Sequence, residues 1–437
     1  MNPHCLIALT EGRLVRDLLE NDLLDFLADG GARVTLATPA DRVPSFTARW
    51  NRDGLRFVHL FQTRDHPWLS RAVKVRKRLA ASWPRPCLQA WLNLEHRLLF
   101  KLRPEYAQLL VEDRPNLVVA TNATPPTESE LVFAARRAGI PTLGVVGSWD
   151  RLHKFLYTRT EHLSVWSDLN RDESFQMEGY EPTKVHVTGP TQLDAYFGED
   201  VNCSRESTCV AEGLDPARPY IFLATAGSFV PAYDETYLLE WLLSQIGSGA
   251  LPRDLQVLCR LHPFSRLEYF LPYAADPRVK LSHMGYIPTL GASMTRREVV
   301  QFGNLVRHAA AVVTPGSTLT LEAAIFDTPT VVPVFHSYQA ELCERYYRTR
   351  VFGRHFRRIQ EQNLVPIVHG AEELLSGVRR CLKEPAWYRD QRARLVRDYI
   401  QFTDGKSTRR LASLILQLAG APSVKSVTCE QNLAGKS

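Results

Sequence analysis

The sequence predicts an α/β protein built from two Rossmann-like, doubly wound domains that face a central cleft. Short apolar segments alternate with amphipathic helical segments in two series of similar size. Turns rich in Gly, Pro and Asn separate most of these segments. The chain has 437 residues, more than one hydrophobic core usually serves, so two domains are expected.

The first series opens with a β-α-β unit. Residues 6–10 are an apolar strand, residues 12–28 an amphipathic helix ended by a Gly-Gly pair, and residues 34–38 a second strand. Later strands are predicted at 55–60, 117–121, 142–146, 162–166 and 184–188. Residues 66–110 are predicted to be mostly helical. Because helices separate the strands, a parallel sheet with right-handed crossovers is expected.

The second series repeats this alternation. Its predicted strands span 220–225, 256–261, 279–282, 309–313 and 330–335. Its predicted helices lie near 235–245, 297–307, 319–326, 338–348 and 371–382. The expected organisation is a first domain at 1–197, a linker at 198–217, a second domain at 218–385, terminal helices at 386–419 and a polar, disordered tail at 420–437.

Composition and motifs exclude several classes of protein. The hydrophobic fraction of 45% and charged fraction of 23% are those of a globular protein. No apolar run reaches about 18 residues, and the first residues resemble a strand more than an export signal, so we expect a cytoplasmic protein. The eight cysteines form no CxxC pair, and no HExxH or DxD occurs, so no metal site is predicted. GxGxxG after the first strand and GxxxxGK[ST] are also absent.

Positive charge is concentrated between residues 66 and 103. From Arg71 to Arg103 the sequence has nine Lys or Arg residues and one carboxylate, Glu95. Four tryptophans lie in or near this segment. This composition suits peripheral association with an anionic membrane, at its inner face in the cell, or a polyanionic acceptor. A solvated helix with its aromatic side chains in the core is the alternative, and no nucleic-acid partner is expected.

Ligands of open α/β sheets bind outside the carboxyl ends of the strands, and this rule selects particular loops. In the second domain the loops carry Gly227 and Ser228, Arg260 and His262, and the 314–318 turn. In the first domain they carry Glu11 and Gly12, Thr121 and Asn122, and residues 147–150. These loops should converge on the cleft if the two domains face each other.

The second-domain loops have the chemistry of a nucleotide-diphosphate site. Gly316, Ser317 and Thr318 stand where helix N–H groups point outward and can hold a phosphate. One turn further, Glu322 can accept hydrogen bonds from a ribose. Further donor-binding candidates can bind a phosphate of the donor or contact its base. They are Gly227, Ser228, Arg260, His262 and Tyr286.

The first-domain loops carry candidate catalytic and acceptor-binding residues. Glu11 directly follows the first strand and can act as a general base, while the adjacent Gly12 permits close approach of an acceptor. Asp150 competes for the same role. Beside it, Trp149 can stack on a sugar and Arg151 can bind an acceptor. A helix-terminal charge favoured by the dipole is the alternative interpretation of Glu11.

Residues 308–335, HAAAVVTPGSTLTLEAAIFDTPTVVPVF, and the phrase RLHP at 260–263 resemble GT-B glycosyltransferases. The similarity is to enzymes of bacterial surface-polysaccharide synthesis and their relatives, the Kdo transferases and CDP-glycerol glycerophosphotransferases. It implies that Gly316, Ser317 and Thr318 bind the donor diphosphate, that Glu322 binds the ribose, and that Glu11 is the base. It also implies a C-terminal helix that crosses back to the first domain. The glycerophosphotransferases have Asp-Tyr-Ser-Ser at the turn, so CDP-glycerol is the less expected donor.

The expected function is transfer of a sugar from a nucleotide-activated donor to a saccharide or lipid-linked acceptor in cell-surface polysaccharide or glycolipid synthesis. The expected mechanism needs no metal or cofactor, and inversion is favoured over retention. Three alternatives remain: a sugar-nucleotide 2-epimerase, a CDP-glycerol-type glycerophosphotransferase, and a non-catalytic assembly partner.

Overall fold

The computed structural model describes residues 2–63, 67–79, 83–100, 102–154, 156–198, 201–227, 234–352 and 355–420. Within these residues the chain forms two parallel sheets covered by helices, and a short antiparallel hairpin. The predicted α/β class with two doubly wound domains is therefore confirmed.

The first sheet has the order β3-β2-β1-β4-β5-β6-β7, and each neighbouring pair is parallel. Its strands are β1 (His4–Ala8), β2 (Arg33–Thr38), β3 (Leu55–His59), β4 (Leu117–Ala120), β5 (Thr142–Val145), β6 (His162–Val165) and β7 (Val185–Val187). The order reverses between β1 and β4. Loops that leave these two strands therefore flank the crevice in which such sheets bind ligands.

The second sheet has the order β10-β9-β8-β13-β14-β15 and is also parallel. Its strands are β8 (Tyr220–Ala224), β9 (Gln256–Arg260), β10 (Val279–Ser282), β13 (Ala311–Val313), β14 (Thr330–Pro333) and β15 (Ile367–Val368). The antiparallel hairpin is formed by β11 (Gly285–Ile287) and β12 (Gly291–Ser293). Here the strand order reverses between β8 and β13, so the 314–318 turn leaves a strand at the switch point.

Helices cover both faces of each sheet, and their apolar stripes meet the strands in the buried cores. Those of the first half are α1 (Gly12–Leu14), α2 (Leu23–Asp29), α3 (Pro44–Trp50), α4 (Pro67–Leu79), α5 (Arg85–Leu99), α6 (Pro104–Asp113), α7 (Ser129–Arg137) and α8 (Asp168–Glu178). Those of the second half are α9 (Arg205–Glu212), α10 (Tyr237–Gly247), α11 (Leu267–Phe270), α12 (Arg296–Arg307), α13 (Thr318–Ile325), α14 (Ala340–Tyr346), α15 (Arg357–Glu361), α16 (Ala371–Lys383), α17 (Arg389–Leu395) and α18 (Ser407–Leu418).

The last helix returns to the first domain, as predicted. Leu411 and Ile415 of α18 belong to the same buried core as Leu23 and Leu27 of α2. The Asp194 carboxylate accepts hydrogen bonds from the first two N–H groups of α18, at 3.0 and 2.6 Å. An acidic group at a helix N-terminus is favourable because it satisfies unpaired N–H groups and the dipole.

The segment predicted as a single helix at 12–28 is interrupted. After α1 the chain makes the π-helical turn Val15–Leu19. The helix resumes as α2, and its N-cap residue Asp22 has a left-handed φ of 64°. The hydrophobic pattern gave no signal for this break, because the buried leucines continue through it at helical spacing.

The basic segment is helical, as predicted, and forms α4, α5 and α6. Among the helices of the described ranges, none combines the length and the apolar character needed to cross a bilayer. Residues 421–437 of the predicted tail lie outside the described residues.

Candidate functional site

A cleft of about 480 Å³ separates the carboxyl-end edges of the two sheets. The first domain lines it with Arg16 and with residues from the loop after β5, including Ser148 to Arg151 and Lys154. The second domain lines it with loops that follow β8, β9 and β13. The topology thus brings loops from the carboxyl ends of both sheets to one place.

The turn between β13 and α13 has the geometry of an anion site. Gly316 has a φ of 78°, a conformation that side chains other than glycine rarely adopt. A Cβ at this position would lie 3.1 Å from Val351 Cγ1. Ser317 is the N-cap of α13, and its Oγ accepts from the N–H of Leu319 at 3.3 Å. The first N–H groups of α13, beginning at Thr318, therefore meet the cleft at the positive end of the helix dipole.

Arg260 and His262 stand beside this turn at the end of β9. The Arg260 guanidinium donates to three neutral groups: Ser282 Oγ at 2.8 Å, the carbonyl of His283 at 2.9 Å, and Met294 Sδ at 3.1 Å. Burial lowers the pKa of Arg260, although the group stays a cation at neutral pH. Its direct hydrogen-bond partners are neutral, and Arg260 lines the cleft, so the cation is in position to bind an anion there.

His262 is a neutral donor at the same edge. The backbone N–H of His262 donates to Thr225 Oγ1 at 2.8 Å, and this bond joins the loops after β8 and β9. Burial lowers the pKa of the His262 imidazole to about 4. The N–H of Phe264 donates to His262 Nδ1 at 3.2 Å. We therefore assign the ring proton to Nε2, where it can be donated to a ligand.

Glu322 lies one turn into α13 and faces the cleft. Its Oε1 accepts a hydrogen bond from Tyr196 OH at 2.9 Å. Burial raises the pKa of Glu322, while the Tyr196 hydrogen bond and the charge of Arg16 oppose that shift. The carboxyl group is thus held in place by Tyr196 in the cleft lining, where it can accept a hydrogen bond from a ligand hydroxyl when ionised.

Asp150 follows β5 and is ion-paired with Lys154. Burial raises the pKa of Asp150, but the charges of Lys154, Arg151 and His355 outweigh it and hold that pKa well below its usual range. Burial also lowers the pKa values of Lys154 and Arg151. A carboxylate that is stabilised in its ionised form is a poor proton acceptor.

Trp149 connects the two domains inside the cleft. It is buried, and its Nε1 donates to Thr318 Oγ1 at 3.3 Å. Its ring makes edge contacts with His355 and Tyr399, at centroid distances of 5.3 and 5.5 Å. The indole thus packs against these two rings and is hydrogen-bonded to the first residue of α13.

Glu11 belongs to a ring of hydrogen bonds at the end of β1. Asn122 Nδ2 donates to Glu11 Oε1 at 2.7 Å, and Arg13 Nε donates to Glu11 Oε2 at 2.5 Å. Arg13 also donates to Asn122 Oδ1 at 2.9 Å, which closes the ring. The Glu11 side chain remains 40% exposed. Both carboxylate oxygens are therefore oriented while the group stays accessible from solvent.

A buried carboxyl group, Glu128, lies directly behind this ring. Its two oxygens accept from Thr10 Oγ1 at 3.1 Å and from the N–H of Asn122 at 3.0 Å. Burial raises the pKa of Glu128 to about 7, although both hydrogen bonds oppose the shift. Glu128 thus holds the backbone from which Asn122 reaches Glu11.

Comparison with known proteins gives similarity in structure and none in sequence. No family model matches the chain, and no curated protein sequence matches it. The Neisseria meningitidis UDP-GlcNAc 2-epimerase bound to UDP-GlcNAc has a TM-score of 0.57 at 11% identity, covering 95% of this chain and 100% of its own. A Rickettsia africae glycosyltransferase has a TM-score of 0.53 at 10% identity, covering 96% and 100%. The wall teichoic acid polymerase TagF with CDPG has a TM-score of 0.56 at 8% identity, covering 95% and 88%.

The chain has the GT-B fold. The predicted resemblance is thereby confirmed at the level of fold, which is what similarity at such identities establishes. The same fold serves epimerases and transferases among these structures, so the site must carry any functional argument.

The GT-B cleft brings together most of the predicted site residues. Its lining includes nine of them: Trp149, Asp150, Arg151, Arg260, His262, Gly316, Ser317, Thr318 and, one turn along α13, Glu322. Gly227, with a φ of 83°, follows the lining residue Ala226. Ser228 lies outside the described residues. The roles assigned to all these residues stay predictions.

Three predicted residues lie elsewhere. Glu11 is outside the lining, but Arg13, which binds it, comes within 3.1 Å of the Cβ position of Gly147, next to lining residue Ser148. A Cβ at Gly12 would lie 2.6 Å from the carbonyl oxygen of Ala292, so the β11–β12 hairpin occupies the space beside Gly12. The Gly12 N–H also donates to the carbonyl of Leu290 at 2.7 Å.

Tyr286 is on β11 of that same hairpin. Its side chain is 75% exposed and is not part of the cleft lining. The hairpin instead borders a separate pocket of about 270 Å³ against the first domain. The structure therefore does not bring Tyr286 together with the other donor-binding candidates.

The structure adds three basic side chains to the cleft lining that the sequence did not indicate: Arg16, Lys154 and His355. Arg16 is paired with Asp17, at 2.6 Å. Its position in the first helical segment is the one signal that could have suggested it, because that segment starts at the switch point. Lys154 and His355 are brought in by loops whose paths depend on tertiary packing, so no local pattern marks them.

Proposed function

We propose that this protein is a GT-B glycosyltransferase that moves a sugar from a nucleotide-activated donor to a saccharide or lipid-linked acceptor. The second domain holds the donor and the first domain activates the acceptor. We place the reaction in the synthesis of cell-surface polysaccharide or glycolipid.

One observation carries this proposal: a cleft with excess positive charge receives the N-terminus of α13. Four Arg or Lys residues line it within the described residues, against two carboxylates, Asp150 and Glu322. A nucleoside diphosphate carries the complementary charge and the oxygen atoms that helix N–H groups and guanidinium groups bind.

In the proposed complex the donor diphosphate lies at Gly316, Ser317 and Thr318. Arg260 and His262 then donate to its oxygen atoms, and Glu322 accepts from the ribose hydroxyls. The negative charge that develops on the leaving diphosphate is stabilised by groups already in position, which lowers the barrier to transfer.

Glu11 is the proposed general base, written for an inverting reaction. It removes the proton of the acceptor hydroxyl as that oxygen attacks the anomeric carbon. Glu11 is favoured over Asp150 because its side chain is 40% exposed, whereas Asp150 is buried and has a lowered pKa. Asn122 and Arg13 hold both oxygens of Glu11, so the carboxylate is oriented before the acceptor arrives.

The proposal assigns neutralisation of the leaving group to side chains and helix N–H groups of the chain itself. Within the described ranges no group of three or more His, Cys, Asp or Glu side chains is placed to hold a metal ion. No cofactor other than the nucleotide-sugar substrate enters the proposed mechanism.

The test is thermal stabilisation of the full-length protein by nucleoside diphosphates and nucleotide sugars of each base. Ligands that bind only the folded state raise the melting temperature, and the stabilisation grows with the logarithm of the ratio of ligand concentration to Kd. We expect one base to stabilise the protein and thereby to name the donor class. Arg260→Ala should reduce this shift. Arg253→Ala, which removes an exposed arginine of the same domain, should leave it unchanged.

Absence of stabilisation by every nucleotide would overturn the donor site. Equal loss of stabilisation in both arginine variants would show that general charge, and not the cleft, is responsible. With the donor class known, transfer is measured as release of nucleoside diphosphate that depends on an added acceptor.

A sugar-nucleotide 2-epimerase is the second candidate. The cleft receives one carboxylate from each domain, Asp150 and Glu322, and an epimerase needs acidic groups on both sides of the sugar. Conversion of UDP-GlcNAc to its 2-epimer without any acceptor would favour this candidate over transfer.

A further inference from the structure

The outward face of α4 is strongly basic. Leu69, Val73 and Arg76 are buried on one side of this helix. Arg71, Lys74 and Arg78 recur at the helical spacing of three and four residues on the opposite, exposed side. The helix therefore presents a row of cations to solvent.

Large apolar side chains are also exposed on α4 and on α5, the helix that packs against it. Trp68 is 59% exposed, and Arg71 stacks over its ring at 4.8 Å. On α5, Leu94 and Leu98 are also exposed, Leu98 by 72%. Exposed apolar groups that are clustered and flanked by charge mark an interaction surface. We call Trp68, Arg71, Lys74, Arg78, Leu94 and Leu98 the α4–α5 face.

The helical hairpin that carries the α4–α5 face is anchored to the first domain by buried charge. Arg76 Nη1 donates to Glu95 Oε1 at 2.6 Å, and neither side chain has any exposed area. Glu95 is also the one carboxylate in the sequence from residue 67 to residue 103. Its charge is thus used inside the hairpin, in an ion pair with Arg76.

The hairpin is joined to the loop that lines the cleft. Ser70 Oγ lies 3.0 Å from Tyr157 OH, and Arg76 donates to the carbonyl of Leu156. The same loop carries Arg151 and Lys154 in the cleft lining. The hairpin is therefore in direct contact with the loop that forms the first-domain side of the cleft.

We propose that the α4–α5 face docks on an anionic lipid bilayer. Arg71, Lys74 and Arg78 contact headgroup phosphates, Trp68 lies at the headgroup level, and Leu94 and Leu98 enter the acyl boundary. The combination favours a bilayer over a soluble polyanion because a polyanion gives the exposed leucines nothing apolar to bury against. This surface goes beyond the proposed function. If the transfer reaction proposed above is correct, docking on a bilayer makes a lipid-linked acceptor the expected one.

The test is sedimentation of the full-length protein with vesicles. Phosphatidylcholine vesicles that contain phosphatidylglycerol should bind the protein, and added salt should weaken binding because the attraction is screened. Pure phosphatidylcholine vesicles should bind it weakly. The triple variant R71E/K74E/R78E should lose about a hundredfold in affinity for the anionic vesicles, since each of the three basic residues near the surface contributes about fivefold.

A matched control changes the net charge equally at another place. R253E/R297E/K383E replaces three exposed cations of the second domain and should bind anionic vesicles nearly as the parent does. A second variant, L94S/L98S, keeps every charge of the α4–α5 face and should also lose vesicle binding. Circular dichroism of each variant shows whether it folds.

No binding of the parent to anionic vesicles overturns the proposal, as does equal loss in the two charge variants. Binding to heparin with no binding to vesicles would assign the face to a soluble polyanion and would also overturn it. Vesicle binding is measured without substrate, so its failure is distinguishable from failure of nucleotide binding in the cleft.

Discussion

The two sides of the cleft use the same topology for different chemistry. In both sheets the strand order reverses beside a central strand. The second-domain loops from that position line the cleft, and the first-domain loops from that position lie next to its lining. The second-domain turn offers small residues, Gly316 and Ser317, at a helix terminus. The first-domain loops after β1 and β4 instead offer a network of charged and amide side chains, Glu11, Arg13 and Asn122.

This difference teaches that side-chain content, and not strand order, decides what each half of the cleft can do. Backbone N–H groups with a cation such as Arg260 can bind an anion, and they have no proton acceptor to offer. An oriented and partly exposed carboxylate such as Glu11 can accept a proton. Each of the following substitutions changes one side of the cleft and leaves the other side unaltered.

The largest effect is expected for Glu11→Gln. The amide keeps the size and can keep the hydrogen bond from Arg13, but it cannot accept a proton. We expect transfer to fall by about 10²- to 10⁴-fold, the usual contribution of a general base. Nucleotide affinity should remain within about twofold, because the donor side is untouched. Initial rates and thermal shifts measure the two quantities separately.

Asp150→Asn is the companion variant for this prediction. If Asp150 were the base, its variant would lose the transfer rate and Glu11→Gln would retain it. That outcome would move the acceptor-activating group into the loop after β5. It would leave the comparison between the two domains intact but change the residue that defines the first.

A second effect is expected in stability, from the buried carboxyl group of Glu128. Its pKa is raised from 4.5 to about 7 by burial. A raised pKa means that the folded state holds this proton more tightly than the unfolded state. The contribution of Glu128 to stability therefore falls as pH rises from about 4.5 to 7, by roughly 3 kcal/mol in total.

Glu128→Gln removes this titration. The difference in unfolding free energy between the parent and this variant should thus change with pH, the variant gaining relative to the parent between pH 5 and 7. Urea unfolding at several pH values measures it. Glu105→Gln on α6, an exposed site, should give a constant difference. A constant difference for Glu128→Gln as well would contradict the role of burial.

Much of the fold was predictable because local patterns agree with tertiary structure. Strands such as β1 and β13 are short apolar runs that end at turn residues, and parallel order follows from the intervening helices. The turn at Gly316 was visible for the same reason. The β11–β12 hairpin was not, because three-residue strands with a glycine in each lack an alternating pattern.

The site was predictable to the level of loops and not of partners. The sequence placed Glu11 at a strand end, but it gave no sign that Asn122, 111 residues away, would orient it. Nor did the sequence show that Lys154 would form an ion pair with Asp150. Such contacts depend on how loops from different strands meet, which no spacing along the chain encodes.

The smallest effect isolates the donor half and concerns Gly316→Ala. Alanine at a φ of 78° costs about 1 kcal/mol or more in backbone strain, and its Cβ would press on Val351 at 3.1 Å. The turn must shift, so its N–H groups should leave their positions at the cleft. We expect about tenfold weaker nucleotide binding, measured by calorimetry.

Gly31→Ala is the matched control, because Gly31 has a φ of 74° and nothing within 4 Å of its Cβ position. It carries the same backbone strain in the first domain and should lower the melting temperature without changing nucleotide affinity. If both variants bound nucleotide as well as the parent does, the 314–318 turn would be an ordinary connection. The anion-binding half of the comparison would then rest on Arg260 and His262 alone.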